Sequence, residues 1–451
     1  MVPIIDRDSS RDRLMKERTR SSKVLVFAVI LVGVLMVGAL AGLIRQTGNC
    51  GEPLPPETPV MNPARMVYST HDPILITGNG GFTNDSGVVW GSGTEYDPYI
   101  IEEWEINSVE VKNANVHFVI QDCHVHPGEG MLTTAINIYH CDNGTVRHCI
   151  CTEYTWAGIN VDHSNNNSFF GNDCSGKGYG IWLYYSENLT LTDNNCSSNS
   201  WSGISGPASN SSIVNNICTF NDGGGISLGY SYNDSLIDNN CSRNGGDGIS
   251  FGSSSIHTLI NNTCSMNVGN GMDLYLSNNN ILSNNNCSSN NNHGITLNYS
   301  NKNILTDNNC CSNNWSGINL MSSCSNNLTG NNCSSNGGGI GLTSFKLTMP
   351  PDPSGDNRLV NNTCSSNKYT GIGVSFSSNN DLINNTCSSN NENGISVMML
   401  SNIDLKNNTC SNNGCGMYFG SGFGYVIQSN CLANNTGWGI YLIGPPPALC
   451  P

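Results

Sequence analysis

The sequence predicts an all-β solenoid, a single-stranded parallel β-helix of about 14 coils with about 23 residues per coil, behind an N-terminal transmembrane helix. Three observations predict the solenoid. Cysteine recurs at 123, 151, 174, 196, 218, 241, 264, 287, 310, 333, 364, 387, 410 and 431, mostly at intervals of 22 or 23. Five places before each of these 14 cysteines stands an apolar residue, from Phe118 and Val146 through Leu405 and Val426. Six to nine places after nearly every one comes Gly-Ile or Gly-Met, with another apolar residue two places on, as at Gly248, Ile249 and Phe251.

Apolar residues at i and i+2 are the mark of a strand with one buried face. The runs are too short, and too rich in Gly and Asn, to be helices. A single coil cannot bury its own apolar face, so coils stack and equivalent residues form vertical columns. Asn stands two places before the Cys in 11 of the 14 coils, from Asn172 to Asn408, where stacked amides can bond to their copies above and below. Gly before each Ile suits a bend that needs positive φ or a close backbone approach.

The N-terminal elements follow from charge and hydropathy. Residues 24–44 form an uncharged run of 21, long enough to cross a bilayer. Seven basic residues precede it (Arg7, Arg11, Arg13, Lys16, Arg18, Arg20 and Lys23), which places the N-terminus in the cytoplasm and the remainder outside. A cleaved signal peptide is the rival reading, and the long charged leader argues against it. The expected order is a basic leader (1–23), a signal-anchor helix (24–44), a Pro-rich stalk (45–69), the β-helix (70–443, with cap and first coil at 70–117) and a short tail (444–451). The plasma membrane, single-pass, is the expected location.

Composition excludes a nucleic-acid partner. The net charge is −15, and nine of the 18 basic residues precede position 70, leaving no basic groove on the coils.

The unit N-x-C-S-S-N followed by G-I-x-L resembles the parallel β-helix repeat of archaeal and bacterial surface proteins. Those proteins are grouped with NosD-like copper-associated periplasmic proteins and with the carbohydrate-binding and sugar-hydrolase β-helix module. Upstream, Gly91-Ser92-Gly93-Thr94 and Asp97-Pro98-Tyr99-Ile100-Ile101-Glu102 resemble the opening segment of archaeal members. The resemblance covers roughly residues 70–443 and implies a right-handed, pectate-lyase-like helix. It departs in placing Cys where Ile or Val is usual. A fold does not specify an activity.

Enzymes on similar scaffolds carry Asp with Lys or Arg on an outer strand face. The outward column read from Asn160 runs Asn160, Trp182, Ser205, Ser227, Ser250, Asp273, Thr296, Asn319, Gly341, Gly373, Ser396, Tyr418 and Tyr441. Two places on, the next column carries Asp162 alone among charged residues. Asp162 and Asp273 are five coils apart, about 24 Å at ordinary strand spacing, too far for a carboxylate pair. This face predicts no catalytic residues.

Histidines concentrate in the first coils. His140 and His163 are expected to stack on adjacent coils with Asp162 beside one of them, and His124 and His126 to point outward together. Neutral imidazoles at this spacing can share copper or zinc, which would match the NosD-like resemblance. Surface histidines near a cap, without convergence, are the bland alternative. Asp193, Asp238 and Asp307 precede their cysteines by three and present a calcium reading, against the simpler one of Asp alternating with Asn in a turn. Trp156, Tyr179, Trp201, Trp315 and Tyr369 recur five places after the column cysteines, and Trp182 lies on the outward column. Exposed, Trp156, Trp182, Trp201, Trp315 and Tyr369 would bind sugar rings; packed, they would cover the turn.

The column cysteines are expected to be buried free thiols, with Cys50, Cys141, Cys149, Cys311, Cys324, Cys415 and Cys450 the better candidates for bridges. The sequence therefore favours a membrane-anchored, non-catalytic surface protein that contacts glycan or a cell-surface polymer and needs no cofactor. A polysaccharide lyase, epimerase or hydrolase is the first alternative. Copper or zinc binding through the histidine cluster is the second.

Overall fold

The structure is a computed structural model that describes residues 68–127, 133–176, 178–344, 355–399 and 401–443. The expected leader, membrane helix and C-terminal tail, nearly all of the stalk, and residues 345–354 lie outside the described residues. Among those described, no helix is long and apolar enough to cross a membrane.

Each coil sends one strand to each of two long parallel sheets, of sixteen and fifteen strands. Every strand pairs with its counterpart one coil away, so Ile249 faces Met272 and Phe251 faces Leu274. The third side has short strands at the two ends and single-residue bridges between, such as Asn240 to Thr263 and Thr263 to Asn286. The sixteen rungs of the longer sheet run from Ile74–Thr77 to Ile440–Leu442. At ~4.8 Å per rung the stack is about 70 Å long. At the N-terminal end of the described residues, Ser69 and Thr70 pair with Trp104 and Glu105.

The interior is built from columns. The Ile and Leu columns of the two sheets are fully buried from coil to coil, as are the cysteines from Cys151 to Cys410. The repeat was expected to hold at both ends, and there it shifts. Ile120 faces Val146 and Val125 faces Cys151, so the first member of the cysteine column is a valine. Cys123 instead lies beside Cys149, in the column that carries Asn further along. At the other end Ile427 faces Leu405 and Leu432 faces Cys410. Val426 is therefore 41% exposed, and Cys431 is exposed as well. Each end offers two apolar pairs five residues apart, and the register of the neighbouring coil selects the pair that continues the columns.

No disulfide joins the nineteen described cysteines, and sixteen of them are buried. Cys141, Cys149 and Cys311, expected as bridge partners, are among the buried ones. Burial pushes thiols such as Cys174, Cys196 and Cys310 well above the usual range, which keeps them neutral inside the rod.

The expected asparagine column is present. Asn194 Nδ2 donates to Asn216 Oδ1 at 3.0 Å and also to the Phe169 carbonyl at 3.0 Å, while its backbone N–H donates to the same Oδ1. Each buried amide is thereby satisfied, avoiding a cost of about 1–3 kcal/mol per orphaned group. A second column runs from Asn199 to Asn435, and a third occupies the turn between the two long sheets from Asn280 to Asn380. The positive φ expected at Gly falls elsewhere. It belongs to the residue before each column Asn, including Asn215, Asp238 and Asn261 (φ 55–56°). Asn and Asp tolerate that region because their short side chains bond locally. Gly248 is needed for close approach: a Cβ there would lie 2.6 Å from the Gly271 carbonyl oxygen.

Candidate metal centre and aromatic platform

On the third side, strands Trp104–Ile106 and His124–Val125 pair in parallel, with Glu105 facing His124 and Ile106 facing Val125. Ile106, Cys123 and Val125 are buried, so the alternation sends Glu105, His124 and His126 outward together. The two imidazole centroids are 5.0 Å apart, and His126 Nε2 is 3.4 Å from Glu105 Oε1. One donor atom from each of the three residues lies within 4.8 Å of the others. No other group of three among the described residues does so.

The surroundings favour lone pairs over protons. His124 is held below the usual imidazole range, first by burial and then by His126, with Glu105 and Glu153 opposing. His124 Nε2 lies 3.3 Å from Thr152 Oγ1 on the next rung, and Tyr68 packs 5.9 Å from its ring. His126 Nε2 is buried and has no hydrogen-bond partner, the Glu105 contact being too poorly angled to serve. An orphaned imidazole nitrogen costs stability unless something binds it. Two imidazoles and one carboxylate suit a borderline divalent transition ion such as copper or zinc, and three protein ligands leave a position open. Calcium, which prefers an all-oxygen shell, fits this donor set poorly.

His140 and His163 stack as expected, with centroids 5.0 Å apart and planes inclined by 26°. His163 Nδ1 lies 2.5 Å from Asp162 Oδ1. Both histidines occupy left-handed backbone positions in the turn after the longer sheet (φ 50° and 47°). Ring lone pairs lie in the ring planes, so two nearly parallel stacked imidazoles do not aim at a common point. The five histidine and aspartate residues singled out in the sequence thus form two groups, one convergent and one stacked. Asp193, Asp238 and Asp307 hold left-handed turn positions (φ 53–56°) and belong to no convergent donor group.

The outward column read from Asn160 is reproduced rung by rung, and the structure extends it upstream to Asn137 and Glu110. The neighbouring column extends through Tyr139 to Lys112. Two charged residues absent from the sequence reading therefore share this face. They are paired, with Lys112 Nζ donating to Glu110 Oε1 at 2.8 Å, which holds the Glu110 carboxyl below its usual range.

One coil further, Trp156, Tyr179, Trp182 and Trp201 form a single cluster. Trp156 meets Trp201 at 5.4 Å and Trp182 at 5.7 Å; Tyr179 meets Trp182 at 4.5 Å and Trp201 at 4.8 Å. Trp201 remains 38% exposed. Trp315, 60% exposed against His293, and Tyr369, with Lys368 over its ring, stand apart further along the rod.

Two family descriptions match the chain. "Periplasmic copper-binding protein (NosD)" matches residues 76–267 and 237–346, together more than half of the sequence. The chain belongs to the NosD family. "Right handed beta helix region" matches residues 352–445, in agreement with the winding that the sequence resemblance implied. The Glu105, His124 and His126 group and the four-ring cluster both fall in the first NosD match. No curated protein matches this NosD-family chain. Among solved structures, it is similar to the A-module of the Azotobacter vinelandii mannuronan C-5 epimerase AlgE4, at 12% identity and TM-score 0.39, covering 77% of this chain and 91% of that one. It is also similar to DFA-IIIase from Arthrobacter chlorophenolicus A6 without its lid, at 11% identity and TM-score 0.35, covering 58% and 66%.

Proposed function

We propose that this protein is an extracytoplasmic, membrane-anchored β-helix that binds a divalent transition-metal ion, copper foremost, through Glu105, His124 and His126. The observation that carries the reading is the convergence of those three donors, with the buried, unpartnered His126 Nε2 among them. Two things support it. The site lies inside the segment matched by a family described as copper-binding. The apolar run at 24–44 with its basic leader supports an anchor that leaves the rod outside. In this reading the ion, when bound, supplies a Lewis-acid centre with an open position. The chain's own residues hold it: Glu105 contributes charge, the imidazoles contribute neutral nitrogen, and Thr152 orients His124. Calorimetric titration of the purified protein with Cu(II) and Zn(II) tests this. One site per chain is expected, weakened at least tenfold in His124→Ala and in His126→Ala. Unchanged affinity in both variants would remove the proposal.

A second reading, contact with glycans, is favoured by the four-ring cluster around Trp182, since aromatic faces stack on sugar rings. Among the described residues this face carries no free cation beside its acids, because Lys112 is engaged with Glu110, and the proposed role is non-catalytic.

A further inference from the structure

We propose that the outer face of the longer sheet, from Glu110 to Trp201, is a track for one uncharged, linear glycan chain lying along the rod axis. This rests on the glycan reading above and adds its path and the chemistry of its ligand.

The argument begins with register. Glu110, Asn137, Asn160 and Trp182 occupy four successive rungs of one outward column. The polar members are bound to one another: Asn160 Nδ2 donates to Asn137 Oδ1 at 2.7 Å, and Asn137 Nδ2 donates to Glu110 Oε2 at 3.3 Å. A chain of amides oriented by their neighbours presents donors and acceptors at a fixed rise of ~4.8 Å, half-buried and needing no rearrangement to meet hydroxyls. The column then runs directly into the aromatic cluster through Trp182, joined by Tyr179 from the start of the same strand and by Trp156 and Trp201 from the turns beside it. Polar track and aromatic platform therefore form one strip, about 20 Å long over five rungs.

Charge sets the ligand class. Glu110 on the strip is paired with Lys112 at 2.8 Å, and Asp162 on its border contacts the His163 ring. Among the described residues no unpaired Lys or Arg is left on the strip to receive a carboxylate or sulfate, and an anionic polymer would meet Glu110 and Asp162 instead. Hydroxyl groups, which both donate and accept, suit alternating amides; the apolar faces of sugar rings suit the indoles. Below the platform the column changes character, with Ser205 buried and small residues at Ser227 and Ser250, so the strip has a defined end.

The test is affinity electrophoresis and calorimetry on the purified full-length protein. The probes are cello-oligosaccharides and xylo-oligosaccharides of increasing length, mannan, and an oligogalacturonate of matched length. The expected result is binding of at least one neutral series, tightening with length until the chain spans the strip, and weaker or absent binding of the oligogalacturonate. Trp182→Ala and Trp201→Ala each weaken it by about tenfold. The pair Asn137→Ala with Asn160→Ala weakens long chains by roughly fivefold and short ones less. Circular dichroism and unchanged Cu(II) affinity control for folding. Preferential binding of the oligogalacturonate, through the same tryptophans, would overturn the uncharged track while leaving the glycan reading. Neutral binding indifferent to the Asn pair and to length would overturn the track and leave only the platform. No binding to any probe would overturn both.

Discussion

Replacing Asp234 by asparagine is expected to stabilise the rod, by an amount that depends on pH. Asp234 and His257 extend the third asparagine column over the two coils before Asn280 and are completely buried. Asp234 Oδ1 accepts from the Ser211 N–H at 2.9 Å, and the Asp234 N–H donates to His257 Nδ1 at 3.1 Å, so the backbone half of the ladder is intact. The side-chain half is not: Asp234 Oδ2 and His257 Nε2 have no partner. Burial pushes the Asp234 carboxyl up to about 8 from 3.8, and pushes the His257 imidazole down to about 4 from 6.5. A folded-state pKa raised above the unfolded value means that the folded state binds the extra proton. The associated stability is present below about pH 4 and is lost as pH rises through about 8. Between pH 3.8 and 7 the loss is about 1.4 kcal/mol per pH unit, an upper figure of about 4 kcal/mol at pH 7. Asn at 234 is isosteric and cannot ionise. Its Nδ2 would take the place of Oδ2, 3.4 Å from His257 Nδ1, in the geometry used by Asn280 toward Asn303. Asp234→Asn should therefore raise unfolding free energy by about 2–4 kcal/mol at pH 7 and by little at pH 4. The His257 contribution, with the opposite slope between about pH 4 and 6.5, is present in both proteins and cancels. Denaturant unfolding at the two pH values, followed by amide exchange at Ser211, measures it. Destabilisation at pH 7, or an equal shift at both pH values, would refute the reasoning.

Three further outcomes follow from the same geometry. Leu259→Ala, in a fully buried column, should cost about 2–5 kcal/mol in denaturant unfolding, because its neighbours above and below are held by their own ladders and cannot collapse into the gap. Gly248→Ala should lower the unfolding midpoint as well, since its Cβ would lie 2.6 Å from the Gly271 carbonyl oxygen and 2.8 Å from Cys264 Cβ; an unchanged midpoint would mean that the coils can spread. Alkylation of the native protein, mapped by peptide mass, should label Cys431 quickly and Cys324 and Cys415 slowly, while Cys174, Cys196, Cys218 and Cys310 react only after unfolding, their burial and raised pKa both opposing thiolate.

The sequence made the middle of the rod legible because one repeat carries the packing signal and the turn signal together. Leu five before Cys and Ile two before Leu leave one pleat that buries both, and the outward column from Asn160 to Tyr441 follows from it. The ends were less legible for a physical reason. Phe118 with Cys123 and Ile120 with Val125 satisfy the same spacing, and only the registry of neighbouring coils separates them. Glu105 escaped notice because it precedes the first recognisable repeat, where its alignment with His124 depends on a cap-to-coil pairing that no periodicity announces. Glu110 and Lys112 lie upstream of Asn160, where irregular coil lengths hide their alignment with the outward columns. Asp234 and His257 belong to a turn column that mixes Asn, Ser, Asp and His, whose shared task of accepting a backbone N–H becomes visible once the coils are stacked. His140 and His163 were rightly placed on adjacent coils, yet stacking is not convergence, and ring orientation is not written in spacing.

The most direct test of the metal assignment is electron paramagnetic resonance of the purified protein loaded with one equivalent of Cu(II). The account predicts a single type of site with hyperfine coupling from two imidazole nitrogens. It should be unchanged in the double variant His140→Ala with His163→Ala, and should lose one nitrogen in each of His124→Ala and His126→Ala. A spectrum that survives loss of His124 and His126 but disappears with His140 and His163 would contradict it.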